Sequence, residues 1–181
     1  MASAISHPAV LLALSPAFGA AGRGRRALLL GALCSVLPDI DALGFWLGIP
    51  YGAPLGHRGL THSIAFAAAL AAVLAALAFW RAPSRAAAFG FLFLSGASHG
   101  AFDAMTDGGL GVAFFAPFDD TRYFLPWRPI EVSPIGLGGF LSRRGLAILT
   151  TEALWIWLPC LALGGLRWAV RASTLRSNRD A

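Results

Sequence analysis

The chain has 181 residues, 57% of them hydrophobic and 13% charged, with a formal net charge of +5 from 14 basic and 9 acidic side chains. A soluble domain is about 25% charged, and a surface this apolar would aggregate in water. The composition therefore excludes an ordinary soluble domain and predicts an all-α protein built into a membrane. Every basic residue is arginine. The arginines stand in short clusters between apolar runs instead of forming a stripe interleaved with aromatics, which suits anionic lipid headgroups and argues against a nucleic-acid partner.

Residues 1–20 carry no charge, and Arg23, Arg25 and Arg26 come after them. A signal peptide has the opposite order, so the start reads as mature protein. Two short apolar runs follow one another, 8–20 and 27–37, each predicting a tilted or half-buried helix because each is short for a span. The clearest span is 63–80, about 18 residues without a charge, closed by Arg81, Pro83 and Arg85. A second runs over 86–105. Residues 106–142, rich in Gly, Pro and aromatics, predict a long interfacial loop that seats Tyr123, Phe124 and Trp127 at the headgroups. The last span covers 145–170, with Glu152 near its start and a kink expected at Pro159. The whole reads as a polytopic membrane helix bundle of about four to five helices: one domain over 1–172 and a basic tail over 173–181. Cys34 and Cys160 lie inside apolar runs without metal-ligand spacing and read as buried bystanders. Trp155 and Trp157 read as lipid packing.

With five alternating helices, Arg23, Arg25, Arg26, Arg81, Arg85, Arg167, Arg171, Arg176 and Arg179 share one side. Arg58, Arg122, Arg128, Arg143 and Arg144 share the other. The positive-inside rule assigns the larger group to the cytoplasm.

The polar residues gather in a few motifs: SHP with His7, PDID with Asp39 and Asp41, HRGLTHS with His57 and His62, and SHGAFD with His99 and Asp103. On alternating helices all of these fall at one membrane face, the non-cytoplasmic one. Imidazole and carboxylate together suit zinc, manganese or iron. His99 and Asp103 are spaced i, i+4 and point from one helix face. PDID is expected to present its two carboxylates from a turn after Pro38. Thr61 is the candidate cap of the helix that follows, with His57 on the preceding loop. More than four candidate ligands allow one ion or two. Asp107 is expected to shape the Gly108–Gly109 turn and Asp119 and Asp120 to be solvated; an arginine partner is one reading of Glu152, whose role is left open.

PDID, then HRGLTHS, then HGAFDAMTDGG, followed by APF at 116–118, resembles the YdjM-like family of inner-membrane-associated metal-dependent hydrolases; the resemblance runs from about His7 to Pro134. It implies a multi-helix membrane protein of the bacterial inner membrane in which His7, Asp39, Asp41, His57, His62, His99 and Asp103 hold the metal or act in catalysis.

The functional expectation is a metal-dependent hydrolase acting on a lipid-linked or phosphoester substrate at the membrane surface. Its expected cofactor is one or two divalent ions, zinc or manganese. Asp39 or Asp103 would serve as general base, and Arg58 would stabilise developing negative charge. The alternative is a non-enzymatic membrane protein that uses the same cluster as a structural metal site or an ion- or proton-binding site. A through-path should carry polar residues across the bilayer, whereas 64–80 carries none.

Overall fold

A computed structural model describes residues 1–82, 84–134, 140 and 142–180, with the side chains of 175–180 left aside. The expected roles of Pro83, of 135–139 and 141 in the loop, and of the Arg176 and Arg179 side chains lie outside the described residues. Among the described residues there is no β-strand, only two isolated bridges, Thr106 with Ile130 and Val112 with Tyr123.

A 3₁₀ turn at His7–Ala9 leads into α1 (Val10–Leu14). The helix expected over 8–20 is broken here. Pro16 follows the end of α1, and Gly19 at φ +55° turns the chain into the short α2 (Ala20–Arg23). Helix α3 (Arg25–Val36) does not stop at PDID as expected. It runs directly into a 3₁₀ segment, Leu37–Phe45. Pro38 sits in the first turn of that segment, where a missing N–H costs nothing. The two runs make one helical rod of 21 residues, Arg25–Phe45.

The next helix, α4 (Ile64–Ala78), has 15 residues and is roughly 22 Å long at 1.5 Å per residue. It is thus shorter than the span expected over 63–80. Its cap is Ser63, whose Oγ accepts from the Phe66 N–H, and not Thr61. Helix α5 (Arg85–Ala104) is capped in the same way by Ser84, and α6 (Arg143–Glu152) by Ser142. A π-helical turn, Ala153–Trp157, joins α6 to α7 (Leu158–Asp180). Pro159 falls in the first turn of α7, so the irregularity expected at Pro159 is taken up by the preceding π turn. Among the described residues two helices are long and apolar enough to cross a bilayer, Arg25–Phe45 and Arg143–Thr174; α4 is the shorter apolar helix beside them.

Small residues let the helices meet. Ala67, Ala71 and Ala75 form an i, i+4 stripe on the buried face of α4, the close-approach device of membrane helices. A Cβ on Gly96 of α5 would lie 3.4 Å from that of Ala67, and one on Gly31 of α3 would lie 2.8 Å from the Phe91 ring. Ala27, Cys34, Ala71, Phe91 and Leu92 form the core of α3, α4 and α5. Helix α7 packs on α1 at Gly164, where a Cβ would collide with the Leu12 carbonyl. The outward faces are apolar, with Leu29, Leu77, Leu154 and Leu166 exposed, as a lipid-facing surface requires. Both cysteines are free and buried, as expected.

One end of the α3–α4–α5 group carries arginine. Arg26 donates from Nη1 to the Ala78 carbonyl at 2.9 Å, and Arg81 stacks on Trp80. The other end carries the histidines and aspartates.

Candidate metal centre

Seven polar side chains meet at that second end. Asp39 and Asp41 come from the 3₁₀ extension of α3, His62 from the short 3₁₀ turn Leu60–His62, and His99 and Asp103 from α5. His57 comes from the loop before His62, and His7 from the turn before α1. His7, His99 and Asp103 are fully buried, and His57 and His62 nearly so. The Asp39 side chain keeps a 10% edge to the outside.

The hydrogen bonds at the rim fix which atoms face the centre. His99 Nδ1 lies 2.8 Å from the Ser35 carbonyl, which can only accept, so Nδ1 carries the proton and Nε2 is left free. His62 Nδ1 lies 3.0 Å from Asp41 Oδ2, which assigns that ring the same tautomer. The two Nε2 atoms then lie 3.0 Å apart. Asp39 Oδ1 is 3.3 Å from His99 Nε2 and 3.7 Å from His62 Nε2, and Asp103 Oδ2 is 3.4 Å from His62 Nε2.

Neighbouring ligands of a tetrahedral ion bound at 2.0–2.2 Å are separated by about 3.3–3.6 Å, so this quartet has the spacing of a metal shell. Its carboxylates support the same fit. Both Asp39 oxygens are buried without a hydrogen bond of good geometry among the described residues, a costly condition unless a cation completes it, whereas Asp103 Oδ2 already faces the Arg58 guanidinium. A second group, Asp39, Asp41, His57 and His62, also converges within ligand range and shares Asp39 and His62 with the first.

Asp41 differs from Asp39 although both belong to one four-residue motif. Its Oδ1 meets His57 Nδ1 at 2.6 Å. Its Oδ2 accepts from Thr61 Oγ1 at 2.6 Å and from the Arg58 N–H at 3.1 Å, besides the His62 contact. Both oxygens are already engaged, and the geometry is that of a carboxylate orienting ligand imidazoles. Thr61, expected as a helix cap, spends its hydroxyl on this carboxylate instead.

Arg58 joins the two halves of the site. It is fully buried and holds φ +62°, an uncommon left-handed conformation for a residue with a side chain. Its backbone N–H serves Asp41. Its Nε lies 3.1 Å from Asp103 Oδ2, Nη1 donates to the Gly108 carbonyl at 2.9 Å, and Nη2 donates to Thr106 Oγ1 at 3.0 Å. Gly109, at φ +91°, leaves room for it, since a Cβ there would lie 2.8 Å from Nη1.

His7 stacks on His99 with centroids 3.7 Å apart and planes 16° from parallel, and its Nε2 lies 3.7 Å from Asp103 Oδ1. Neither of its ring nitrogens has a hydrogen bond among the described residues. Burial and the neighbouring His99 push its pKa down to about 3. For His62, burial alone would lower the pKa, but the surrounding carboxylates of Asp103, Asp39 and Asp41 outweigh it and hold it up at about 10, so that Nε2 also carries a proton until an ion displaces it.

Residues outside the motifs also contribute. The Ala2 N–H donates to Asp103 Oδ1 at 2.7 Å, and the Ser35 carbonyl and Thr106 hydroxyl act as above. The backbone contributions carry no sequence signal; Thr106 stands three residues after Asp103 and was readable as a polar neighbour. Asp107 accepts from the Val132 N–H at 2.8 Å and ties the two ends of the loop together, while Asp119 and Asp120 are exposed as expected. Among the described residues Glu152 pairs with no arginine; its carboxylate accepts from Ser3 and Ser6. Trp157 donates to Ser6 Oγ and Trp155 meets Trp127 edge-on at 4.4 Å, so each makes a specific contact beyond the lipid packing expected.

Apolar helices with lipid-facing surfaces, closed at one end over a His/Asp cluster able to hold a metal ion, define a membrane protein with a candidate metal centre. The chain belongs to the YdjM inner membrane protein family, whose sequence model matches residues 1–174. It is 36% identical to inner membrane protein YbcI of Escherichia coli (strain K12) over 170 residues, which is 93% of this chain and 98% of that protein. No solved structure matches the chain.

Proposed function

We propose that the protein is a metal-dependent hydrolase of the inner membrane, acting at the membrane surface on a lipid-linked or phosphoester substrate. The observation that carries this reading is the quartet of His62 Nε2, His99 Nε2, Asp39 and Asp103, with both Asp39 oxygens buried and lacking a well-aligned donor among the described residues. A divalent ion held there, zinc or manganese, would polarise the scissile bond and acidify a water. The chain's own residues prepare the place. Ser35 and Asp41 fix the two imidazole tautomers. Asp103 is the oriented ligand, because Arg58 and the Ala2 amide hold it. Asp39 is the better general base of the two, through the oxygen left over when the other faces the ion, since Asp103 is held by Arg58 and the Ala2 amide. Arg58 acts by holding Asp103, because its guanidinium is already spent on Asp103, Thr106 and Gly108.

The second group shares both Asp39 and His62 with the first, so a second ion would compete with the first for those two ligands. Location supports the substrate class. The loops around the site expose Trp46, Leu47, Leu55, Phe118 and Trp127, the apolar and aromatic composition of a membrane interface. The site also lies opposite the end bearing Arg25, Arg26, Arg81 and Arg85, which favours the non-cytoplasmic face.

One observation favours a second reading. His62, His99 and Asp103 side chains have no exposure at all, as in a closed structural metal site. Hydrolysis assays separate the two. Metal-loaded protein in nanodiscs is expected to hydrolyse members of a phosphomonoester and phosphodiester panel, and Asp39→Ala to abolish the turnover. A stoichiometric ion that raises the thermal midpoint with no turnover on any ester would establish the staple instead.

A further inference from the structure

Glu152 lies in one of the two helices long enough to cross the bilayer, is fully buried, and belongs to none of the metal-ligand motifs. An ionisable group at that depth needs a partner and a purpose. Its partners are the first residues of the chain. Oε1 accepts from the Ser3 N–H at 2.5 Å, and Oε2 accepts from Ser3 Oγ at 2.5 Å and Ser6 Oγ at 2.7 Å. Trp157, one turn further on, donates to the same Ser6 hydroxyl at 2.9 Å. The residues on either side of Ser3 and Ser6 reach the metal centre, the Ala2 amide bonding to Asp103 and His7 stacking on His99.

We infer that Glu152 is a positioning residue of the metal centre: it latches residues 3–6 to the last helix and so holds the Ala2 amide and the His7 ring against Asp103 and His99. The inference rests on the metal-centre reading for its consequence, and on the latch geometry for its substance. A π turn begins immediately after Glu152. Such turns re-aim side chains within a helix and gather at functional sites.

The test uses the full chain in nanodiscs with Co²⁺ alone as probe. Glu152→Ala and the Ser3→Ala/Ser6→Ala double variant are expected to shift the visible absorption bands of bound Co²⁺ and to weaken its binding about tenfold, the low end for outer partners of ligand residues. Glu152→Gln, which keeps the shape and one acceptor, is expected to fall between these and wild type. Ile148→Ala, a core cavity one turn earlier on α6, is expected to lower the thermal midpoint and leave the bands unchanged. The inference is overturned if folded Glu152→Ala keeps the wild-type bands and affinity, or if Ile148→Ala alters them equally. Should Glu152→Ala fail to fold, Glu152→Gln and the serine variants carry the same readouts.

Wild-type protein that binds no Co²⁺ defeats the metal-centre reading, and the latch is then judged without metal. Carbethoxylation of His7 by diethyl pyrocarbonate, mapped by mass spectrometry, is expected to rise in Glu152→Ala and not in Ile148→Ala. Unchanged protection of His7 overturns the latch as well.

Discussion

Asp39 and Asp41 stand two residues apart in one motif, and their replacement has opposite expected consequences. Asp41 accepts three hydrogen bonds, from His57, Thr61 and the Arg58 amide, and meets His62 besides. At about 1 kcal/mol net for each, Asp41→Ala should destabilise the metal-free protein by about 3–4 kcal/mol. Asp39 has only the longer contacts to His99 and His62, at 3.3 and 3.7 Å, so Asp39→Ala should cost the metal-free protein only about 1 kcal/mol. Metal binding reverses the ranking. Asp39→Ala removes a ligand and should abolish stoichiometric binding, whereas Asp41→Ala removes an orienting partner and should weaken it about 10- to 100-fold. Thermal melts of apo protein in one detergent, paired with calorimetric Zn²⁺ titration of both variants, give the two numbers. Equal destabilisation by the two variants, or retained full-strength Zn²⁺ binding by Asp39→Ala, would refute the assignment of ligand and orienting roles.

Three other outcomes follow from the same contacts. The raised pKa of His62 means that the metal-free protein gains stability from the protonated ring. That gain is complete below the ordinary histidine value and is lost as the pH climbs through about 10; because an ion must displace the proton, apparent Zn²⁺ affinity should rise about tenfold per pH unit over that window, and a flat profile in potentiometric titration would contradict it. Arg58→Leu removes the guanidinium paired with buried Asp103 and should cost about 3–5 kcal/mol in chemical denaturation, with Gly109→Ala destabilising in the same direction through its φ of +91° and its contact with Arg58; a neutral Arg58→Leu would remove Arg58 from the site. Cysteine placed at exposed Asp119 should react with an impermeant maleimide added to intact cells and cysteine at Arg81 should not, and the reverse pattern would invert the proposed orientation.

The candidate cluster was legible in the sequence because all four histidines and three of the nine acidic residues fall in a few short motifs, and because the i, i+4 pair of His99 and Asp103 survives any shift of helix ends. The helix boundaries were less so. Hydropathy reads PDID as a polar break, yet 3₁₀ geometry accepts Pro38 in its first turn and carries the rod on to Phe45. Thr61 and Ser63 are equally good caps by composition, and only the position of Asp41 decides that Thr61 turns away from the helix. The difference between Asp39 and Asp41 was invisible, since it depends on which donors tertiary packing brings to each carboxylate. Glu152 suggested an arginine partner, and the sequence offered no sign that two serines nearly 150 positions earlier would take that place.

The central claim is that His62, His99, Asp39 and Asp103 hold a metal ion. Elemental analysis by plasma mass spectrometry of gently purified protein, beside His62→Ala prepared in parallel, tests it most directly. Wild type should carry at least one equivalent of a divalent transition metal per chain and the variant well under half of that. Wild-type protein without stoichiometric metal, or a variant that retains its full content, would contradict the account.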